Sequence, residues 1–324
     1  MIRAALPAAA LLWGLAGCAA SPTLAERLPA GAPGSIELAE TPFFPQDDYQ
    51  CGPAALATVL RASGVITSAA DLTPQVYLPG RHGSLQAELI GAARRHGRLP
   101  YLMPPQADEL VAELHEGRPV LLLQNLGATR WPRWHYAVLI GYDADRNVAL
   151  LRSGKRERVE MRWQRFARTW HRGGRWAVTT LVPGVIPRHA DPARYIEAAA
   201  GLEAVGRRAE AGAAYDAAIE RWPDASHAWL GRGNVAYGEG ALASAVDAYL
   251  RAIRLAPADT AARNNLAQAL ADGGCAAQAT RQIERAAALA AGTALAGTIA
   301  ESRARIAALP APAACAFGDR AWPE

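Results

Sequence analysis

The spacing of apolar residues changes several times along this chain, and each change marks a boundary. Residues 4–16 form an almost unbroken apolar run behind one cation, Arg3. The run is shorter than the ~20 residues that a membrane-spanning helix needs. A basic start, an apolar middle and a small-residue end have the form of a secretory signal over residues 1–17. Residues 18–35 are rich in Ala, Pro and Gly without a period, which predicts a tether. Over residues 36–186 helical and strand periods mix, so this stretch is predicted to be an α+β domain. An apolar helix is expected over 53–63, stopped by Gly64. A second helix is expected over 84–97, where Ser84 can cap and Gly97 ends it, and a third over 107–116. The Val/Leu run at 119–124 predicts a buried strand. Residues 135–142, 148–152 and 175–181 then read as an antiparallel series, with Asp145-Arg146-Asn147 as a turn.

From residue 187 small residues recur at a fixed interval. Ala211, Ala245 and Ala279 are thirty-four residues apart, as are Tyr215, Tyr249 and Ile283, and Ala218, Ala252 and Ala286. Pro223 and Pro257 repeat at the same interval. Tyr195 and Trp229 hold an early aromatic position that Arg263 takes in the third copy. The pattern resembles the tetratricopeptide repeat, a helix-turn-helix unit of that length. It implies copies at 192–225, 226–259 and 260–293, and a capping helix at 294–308 that hides the last apolar face. Residues 187–309 are therefore expected to form an all-α solenoid, with 310–324 as a tail. Such arrays present a concave face to a peptide or protein partner. Asn234, Asn264 and Asn265 lie on the first helices, where ligands of this repeat make contact. Packing of the array on the first domain is the other reading, and both stay open.

Charge excludes little but argues against one class. The formal net charge of the 324 residues is +4, which includes Arg3, and Lys155 is the single lysine. This is too mild to point to nucleic acid, and none is expected as a partner. The remaining histidines, among them His82, His96, His115 and His171, show no ligand spacing. No metal or cofactor is expected.

The four cysteines divide by context. Leu15-Ala16-Gly17-Cys18 resembles the bacterial lipobox. That resemblance implies cleavage before Cys18, lipid on its thiol, and a stable membrane anchor at ~0.8 kcal/mol per buried methylene. Ala19 rather than Asp follows the cysteine, which implies the outer membrane, facing the periplasm. No other segment is expected to span a bilayer. In an oxidising compartment Cys275 and Cys315 can pair and tie the tail to the repeats. Two free thiols are the alternative.

Cys51 carries the candidate chemistry. It stands in Gln46-Asp47-Asp48-Tyr49-Gln50-Cys51-Gly52-Pro53-Ala54-Ala55-Leu56, immediately before an apolar helix, and His135 opens a predicted strand eighty-four residues later. A thiol becomes a strong nucleophile as thiolate, and a helix N-terminus or a neighbouring imidazolium stabilises that form. His135 can act as base and then as acid. The Cys51 N–H and the Gln46 amide can meet a developing oxyanion. Gly52 permits close approach, and Pro53 suits an early helical position.

This run, with His135-Tyr136-Ala137-Val138-Leu139-Ile140-Gly141-Tyr142-Asp143, resembles the bacteriocin-processing, double-glycine leader peptidases (cysteine peptidase family thirty-nine) over about residues 36–182. The resemblance implies a papain-like fold, with Cys51 as nucleophile, His135 as general base and acid, and Gln46 as oxyanion donor. With the repeats and the lipobox, the chain is similar to lipid-anchored bacterial cysteine peptidases. The family carries an Asp or Asn sixteen to eighteen residues after the histidine, whereas this chain reads Leu151-Arg152-Ser153-Gly154 there. Ser153 or Asp143 are weak candidates for the third member. The expected activity is peptide-bond hydrolysis through a thioester, with the repeats binding substrate or a partner protein. A catalytically degenerate binding scaffold in envelope assembly, and amidase or acyl-transfer chemistry, are the rival readings. Trp131 and Trp134 flank His135 and can line a substrate cleft, and residues 80–84 can border it.

Overall fold

The structure, a computed structural model, describes residues 24, 28, 32–46, 49–308 and 315–318. The signal segment, Cys18, Asp47, Asp48 and most of the tail lie outside the described residues. The expectations made for the signal segment and Cys18 therefore stay expectations.

A seven-stranded antiparallel sheet organises the first half. Its strands are β1 (Ser35–Glu37), β2 (Leu99–Leu102), β3 (Val120–Asn125), β4 (Trp134–Asp143), β5 (Val148–Ser153), β6 (Arg156–Arg162) and β7 (Ala177–Leu181). They run in the order β2-β7-β3-β4-β5-β6, with β1 beside β4. Helices α1 (Cys51–Ala62), α2 (Ala69–Val76) and α3 (Gln86–Arg95) precede most of the sheet in sequence. Helix α4 (Ala107–His115) lies between β2 and β3, and α5 (Trp163–Arg172) between β6 and β7.

Both faces of the central strands are covered. Side chains alternate along a strand. Leu121, Leu123, Val138 and Ile140 therefore pack with Leu56 and Leu60 of α1. Leu122, Ala137 and Leu139 face the other way, into a core with Leu110, Phe166 and Trp170. Double coverage is why β3 reads as an unbroken apolar run.

Several elements differ from the sequence reading. The last three strands are not a consecutive series, because β7 returns through α5 to lie between β2 and β3. Strand β6 escaped prediction because it is an edge strand with most side chains in water. Two of its charges are paired: Glu160 accepts from Arg146 and Arg158, and Arg158 also donates to Glu37. Helix α2 has Pro74 in its interior and starts from a capping box of Ser68 and Asp71. Ser84 does not cap α3. That helix starts at Gln86 behind Leu85, and the Ser84 hydroxyl is buried without a partner. Leu24, inside the stretch read as a tether, is buried in the larger core, and its N–H donates to Asn147 Oδ1 at 3.1 Å. An apolar side chain near the domain finds cover there, so this part of the stretch is attached.

Among the described residues seven helices follow: α6 (Pro192–Ala204), α7 (Arg208–Arg221), α8 (Ser226–Gly238), α9 (Leu242–Leu255), α10 (Thr260–Asp272), α11 (Ala276–Ala290) and α12 (Ala296–Ala307). The first helices of the pairs start at Pro192, Ser226 and Thr260, thirty-four residues apart. Arg263 keeps a function of the aromatic it replaces. Trp229 Nε1 donates to the Pro223 carbonyl at 2.9 Å, and Arg263 Nε donates to the Pro257 carbonyl at 3.0 Å. Cys275 and Cys315 form a disulfide that fastens the tail to the start of α11.

The first repeat is fused to the sheet domain. Tyr195, Ile196, Ala199 and Leu202 of α6 share one core with Leu99 and Tyr101 of β2. The Tyr101 hydroxyl accepts the Asp191 N–H at 3.0 Å. At Gly201 a Cβ would stand 2.2 Å from the Arg94 guanidinium carbon, so the Arg94 side chain fills the space between α3 and α6 that glycine leaves open. Among the described residues no helix is long and apolar enough to cross a membrane.

Candidate active site

Gln46, Cys51 and His135 line one cavity of about 910 Å³. Cys51 is the first residue of α1, which directs the helix N-terminus at its thiol. The backbone N–H dipoles of Tyr136, Gly52 and Cys51 itself act on the sulfur and favour its ionised form. The first of these comes from β4, one residue beyond His135, so strand and helix converge on the thiol. A Cβ on Gly52 would lie 2.3 Å from Ser84 Oγ. Glycine at this position lets the loop before α3 close over the start of α1.

His135 stands near the start of β4, paired with Gln124 of β3. Its Nε2 is hydrogen-bonded to Ser153 Oγ at 2.8 Å, which holds the ring and leaves Nδ1 for a second partner. Ser153 ends β5, and the irregular register between β5 and β6 falls beside it. Asp143 has no part in this contact. It lies at the other end of β4, eight residues and roughly 26 Å of strand away, where its Oδ1 accepts the Arg146 N–H at 2.9 Å. Of the two third-member candidates, only Ser153 reaches the imidazole.

Gln46 is buried, and its N–H donates to the Gly154 carbonyl at 3.1 Å. The segment leading to Gln46 is fastened by Arg152, which is buried and donates to the carbonyls of Ala39 and Thr41 as well as that of Glu157. The β5–β6 hairpin thus supports both the Gln46 loop and the His135 ring.

The electrostatics depart from the expected ion pair. Burial pushes the Cys51 thiol above the ordinary cysteine range and outweighs the three N–H donors that lower it. Burial, and then the nearby Arg133 cation, push His135 down to about 4. Among the described residues no carboxylate stands on the imidazole to offset this. At neutral pH the free cavity holds a thiol and a neutral imidazole.

Trp134 lines the cavity and is 58% exposed, whereas Trp131 is not among the lining residues. Arg81, His82, Gly83 and Ser84 form another wall. Sequence reasoning missed Arg133, Lys155 and Arg172, which also line it. For Lys155 and Arg172 the local run of cations after residue 151 was the available signal. Among the described residues no cluster of three or more acidic, His or Cys side chains suits a metal ion.

A second, smaller cavity of about 320 Å³ lies on the repeats, lined by Glu203, Asn234, Tyr237, Tyr249, Asn265 and Gln268. Asn234 Oδ1 accepts from the Tyr249 hydroxyl and from Asn265 Nδ2, at 3.1 and 2.9 Å. Asn264, expected on this surface, is buried instead, and its Nδ2 donates to Asn265 Oδ1. Adjacent helical positions point in different directions, so Asn264 and Asn265 cannot share a face.

Comparison with known proteins agrees with this division. The sequence profile of the Peptidase_C39 like family matches residues 38–178, and that of a tetratricopeptide repeat matches residues 197–260. The chain thus carries a Peptidase_C39-like domain followed by tetratricopeptide repeats. These two parts give it peptidase-like and protein-binding character. Among solved structures, it is similar to a putative C39-like peptidase from Bacillus anthracis, at 17% identity over 45% of this chain and 97% of that one, with a TM-score of 0.37. It is also similar to the peptidase domain of Streptococcus ComA, a bifunctional ABC transporter involved in quorum sensing, at 21% identity over 44% and 98%, TM-score 0.34. The type III secretion translocator chaperone SycD of Yersinia enterocolitica matches at 18% identity over 36% and 82%, TM-score 0.34. No curated protein matches the chain.

Proposed function

We propose that this chain is a cysteine peptidase that works through a thioester, held at the outer membrane by lipid on Cys18 and facing the periplasm. The observation that carries the catalytic part is the meeting of Cys51, at a helix N-terminus, with His135 and Gln46 around one cavity. The lipid and compartment rest on the lipobox-like Leu15-Ala16-Gly17-Cys18.

The neutral resting pair sets the order of events. The Cys51 proton passes to His135 as the sulfur attacks the scissile carbonyl, instead of beforehand. Charge then appears on the carbonyl oxygen, where the Cys51 N–H and the Gln46 amide can donate to it. The carbon–nitrogen bond breaks as His135 returns the proton to the leaving amine, and a thioester remains. His135 next takes a proton from water, which attacks the thioester and releases the carboxylate and the thiol. Ser153 keeps the ring oriented throughout. A substrate that excludes water and places its carbonyl between the donors supplies the stabilisation that the free cavity lacks. The repeats hold a substrate or partner protein on the same packed body as this cavity, since α6 shares a core with the sheet domain.

The rival reading, a binding scaffold without turnover, draws on the depressed His135 and the absent carboxylate. A soluble chain starting at residue 19, incubated with a proteome-derived peptide library, separates the two. New peptide termini that vanish with Cys51→Ala, together with an acyl adduct on Cys51 by mass spectrometry, are expected for the peptidase. Removal of the nucleophile should cost at least ~10³-fold in rate. An unchanged library, with peptides still retained by the protein, would leave the scaffold.

A further inference from the structure

The cations of this protein are unevenly placed. From Arg152 to Arg175 the chain carries nine Lys or Arg residues and two carboxylates, Glu157 and Glu160, although the whole chain is nearly balanced. Arg152 is spent on backbone carbonyls, and Glu160 is taken by Arg146 and Arg158. Most of the other cations gather at two cavities. Arg81, Arg133, Lys155 and Arg172 line the active cavity, where no Asp or Glu lies among the described lining residues. Arg156, Arg162, Arg165 and Arg168 line a neighbouring cavity of about 560 Å³ along β6 and α5, whose one carboxylate is the engaged Glu160.

The linings of the two cavities come next to each other along the chain at two points. Lys155 and Arg156 are consecutive at the β5–β6 hairpin tip and face one cavity each. Arg168 and Arg172 are four residues apart on α5, on one helix face, and again serve one cavity each. None of the eight makes an ion pair with a described residue. Arg172 donates one amino group to the Asn125 carbonyl, while its Nε is buried without a partner. Concave walls of one sign focus the field and concentrate the opposite charge. Guanidinium groups pair with carboxylates through two parallel hydrogen bonds. A substrate rich in Lys or Arg would be repelled by these eight side chains.

We infer that the two cavities form one cationic track that receives an acidic peptide segment and leads it past Cys51. The fate of the peptide rests on the peptidase reading, but its binding does not. The exposed ring of Trp134 provides an apolar contact at the inner end of the track.

Binding is tested on the chain from residue 19 carrying Cys51→Ala, by fluorescence anisotropy with labelled peptides of equal length. One peptide is rich in Asp and Glu, one is neutral and one is rich in Lys. At low salt the acidic peptide should bind about tenfold or more tightly than the neutral one, and the ratio should shrink as salt shortens the screening length. Arg133→Glu with Lys155→Glu, and separately Arg165→Glu with Arg168→Glu, should each weaken the acidic peptide about tenfold. These positions are exposed, and thermal melts will show whether the variants fold. Arg254→Glu on α9, outside the track, should change little. Equal affinity for acidic and neutral peptides, or an equal loss with Arg254→Glu, would overturn the track. An oligothymidylate binding more tightly than the acidic peptide would replace the peptide with a nucleic acid and overturn it too. Cleavage is scored separately with Cys51 intact. Binding without cleavage removes the peptidase reading and keeps the track. Cleavage without charge preference does the reverse.

Discussion

The sheet domain and the repeats use opposite means to bury their helices. The sheet domain is built on large side chains packed on both faces of β3 and β4, and its site combines residues from distant segments: Gln46, Cys51, His135 and Ser153. The repeats pack Ala on Ala, with a buried tyrosine ring, Tyr215 or Tyr249, on the second helix of each of the first two pairs. Tyr215 lies against Gly231 and Tyr249 against Gly233, where a Cβ would stand 2.1 and 2.5 Å from the ring. The polar groups of the sheet domain stay partly unsatisfied, as the Ser84 hydroxyl is. These two rings of the repeats are satisfied: the Tyr215 hydroxyl donates to Glu203 and that of Tyr249 to Asn234. Buried polar atoms without a partner occur in the repeats as well, at Tyr195, Arg232 and Asn264, so the two regions differ in packing and not in polar satisfaction. The two are joined through α6, so the division of labour does not imply independent folding.

The largest expected effect breaks that junction. Tyr215→Ala empties a fully buried site in the first repeat and should cost about 3–5 kcal/mol. Because Tyr215 belongs to the same core as β2, urea unfolding followed separately by Trp fluorescence near the active cavity and by helical circular dichroism should shift together. A shift confined to the helices would show that the two regions are energetically separate.

The next effect belongs to the sheet domain alone. His135 titrates at about 4 in the folded protein and near its ordinary 6.5 when unfolded. The unfolded chain therefore takes up a proton first as pH falls, and stability drops between those two values and levels off below about 4. The loss is at most roughly 3 kcal/mol. Urea unfolding across this window should show the slope in the intact chain and a reduced slope in His135→Gln. An unchanged slope would remove the buried imidazole as its source.

The smallest effect sharpens the role of Ser153. Ser153→Ala frees the His135 ring and should lower kcat about tenfold with little change in KM. Ser153→Asp puts a carboxylate on Nε2, raises the imidazole and stabilises the thiolate. Alkylation of Cys51 by iodoacetamide should then rise at lower pH than in the parent, where burial holds the thiol above the ordinary cysteine range. Identical alkylation profiles in all three proteins would mean that Ser153 does not act through His135.

The contrast also explains what could be read without coordinates. The starts of α6, α8 and α10 follow from a period, because each repeat packs on its neighbours in sequence. Arg263 looked like a lost position until its Nε was seen to repeat the bond of Trp229. In the sheet domain the helix at Cys51 and the strand at His135 were legible from their apolar patterns. The place of β7 was not, since a strand returning through α5 can pair at more than one edge. Charged β6 and the track it supports were hidden because a net charge near balance conceals a local excess.

From its amino acids alone this chain determined a mixed domain, three thirty-four-residue repeats and a thiol placed before a helix. These features depend on neighbours in the chain and on hydrophobic period. Tertiary structure decided the rest: Ser153 rather than Asp143 on the imidazole, Asn265 rather than Asn264 in the repeat groove, a neutral rather than an ionised resting pair, and cations converging on one cavity. Each of these depends on distance and burial between segments far apart in the chain, and sequence spacing carries neither.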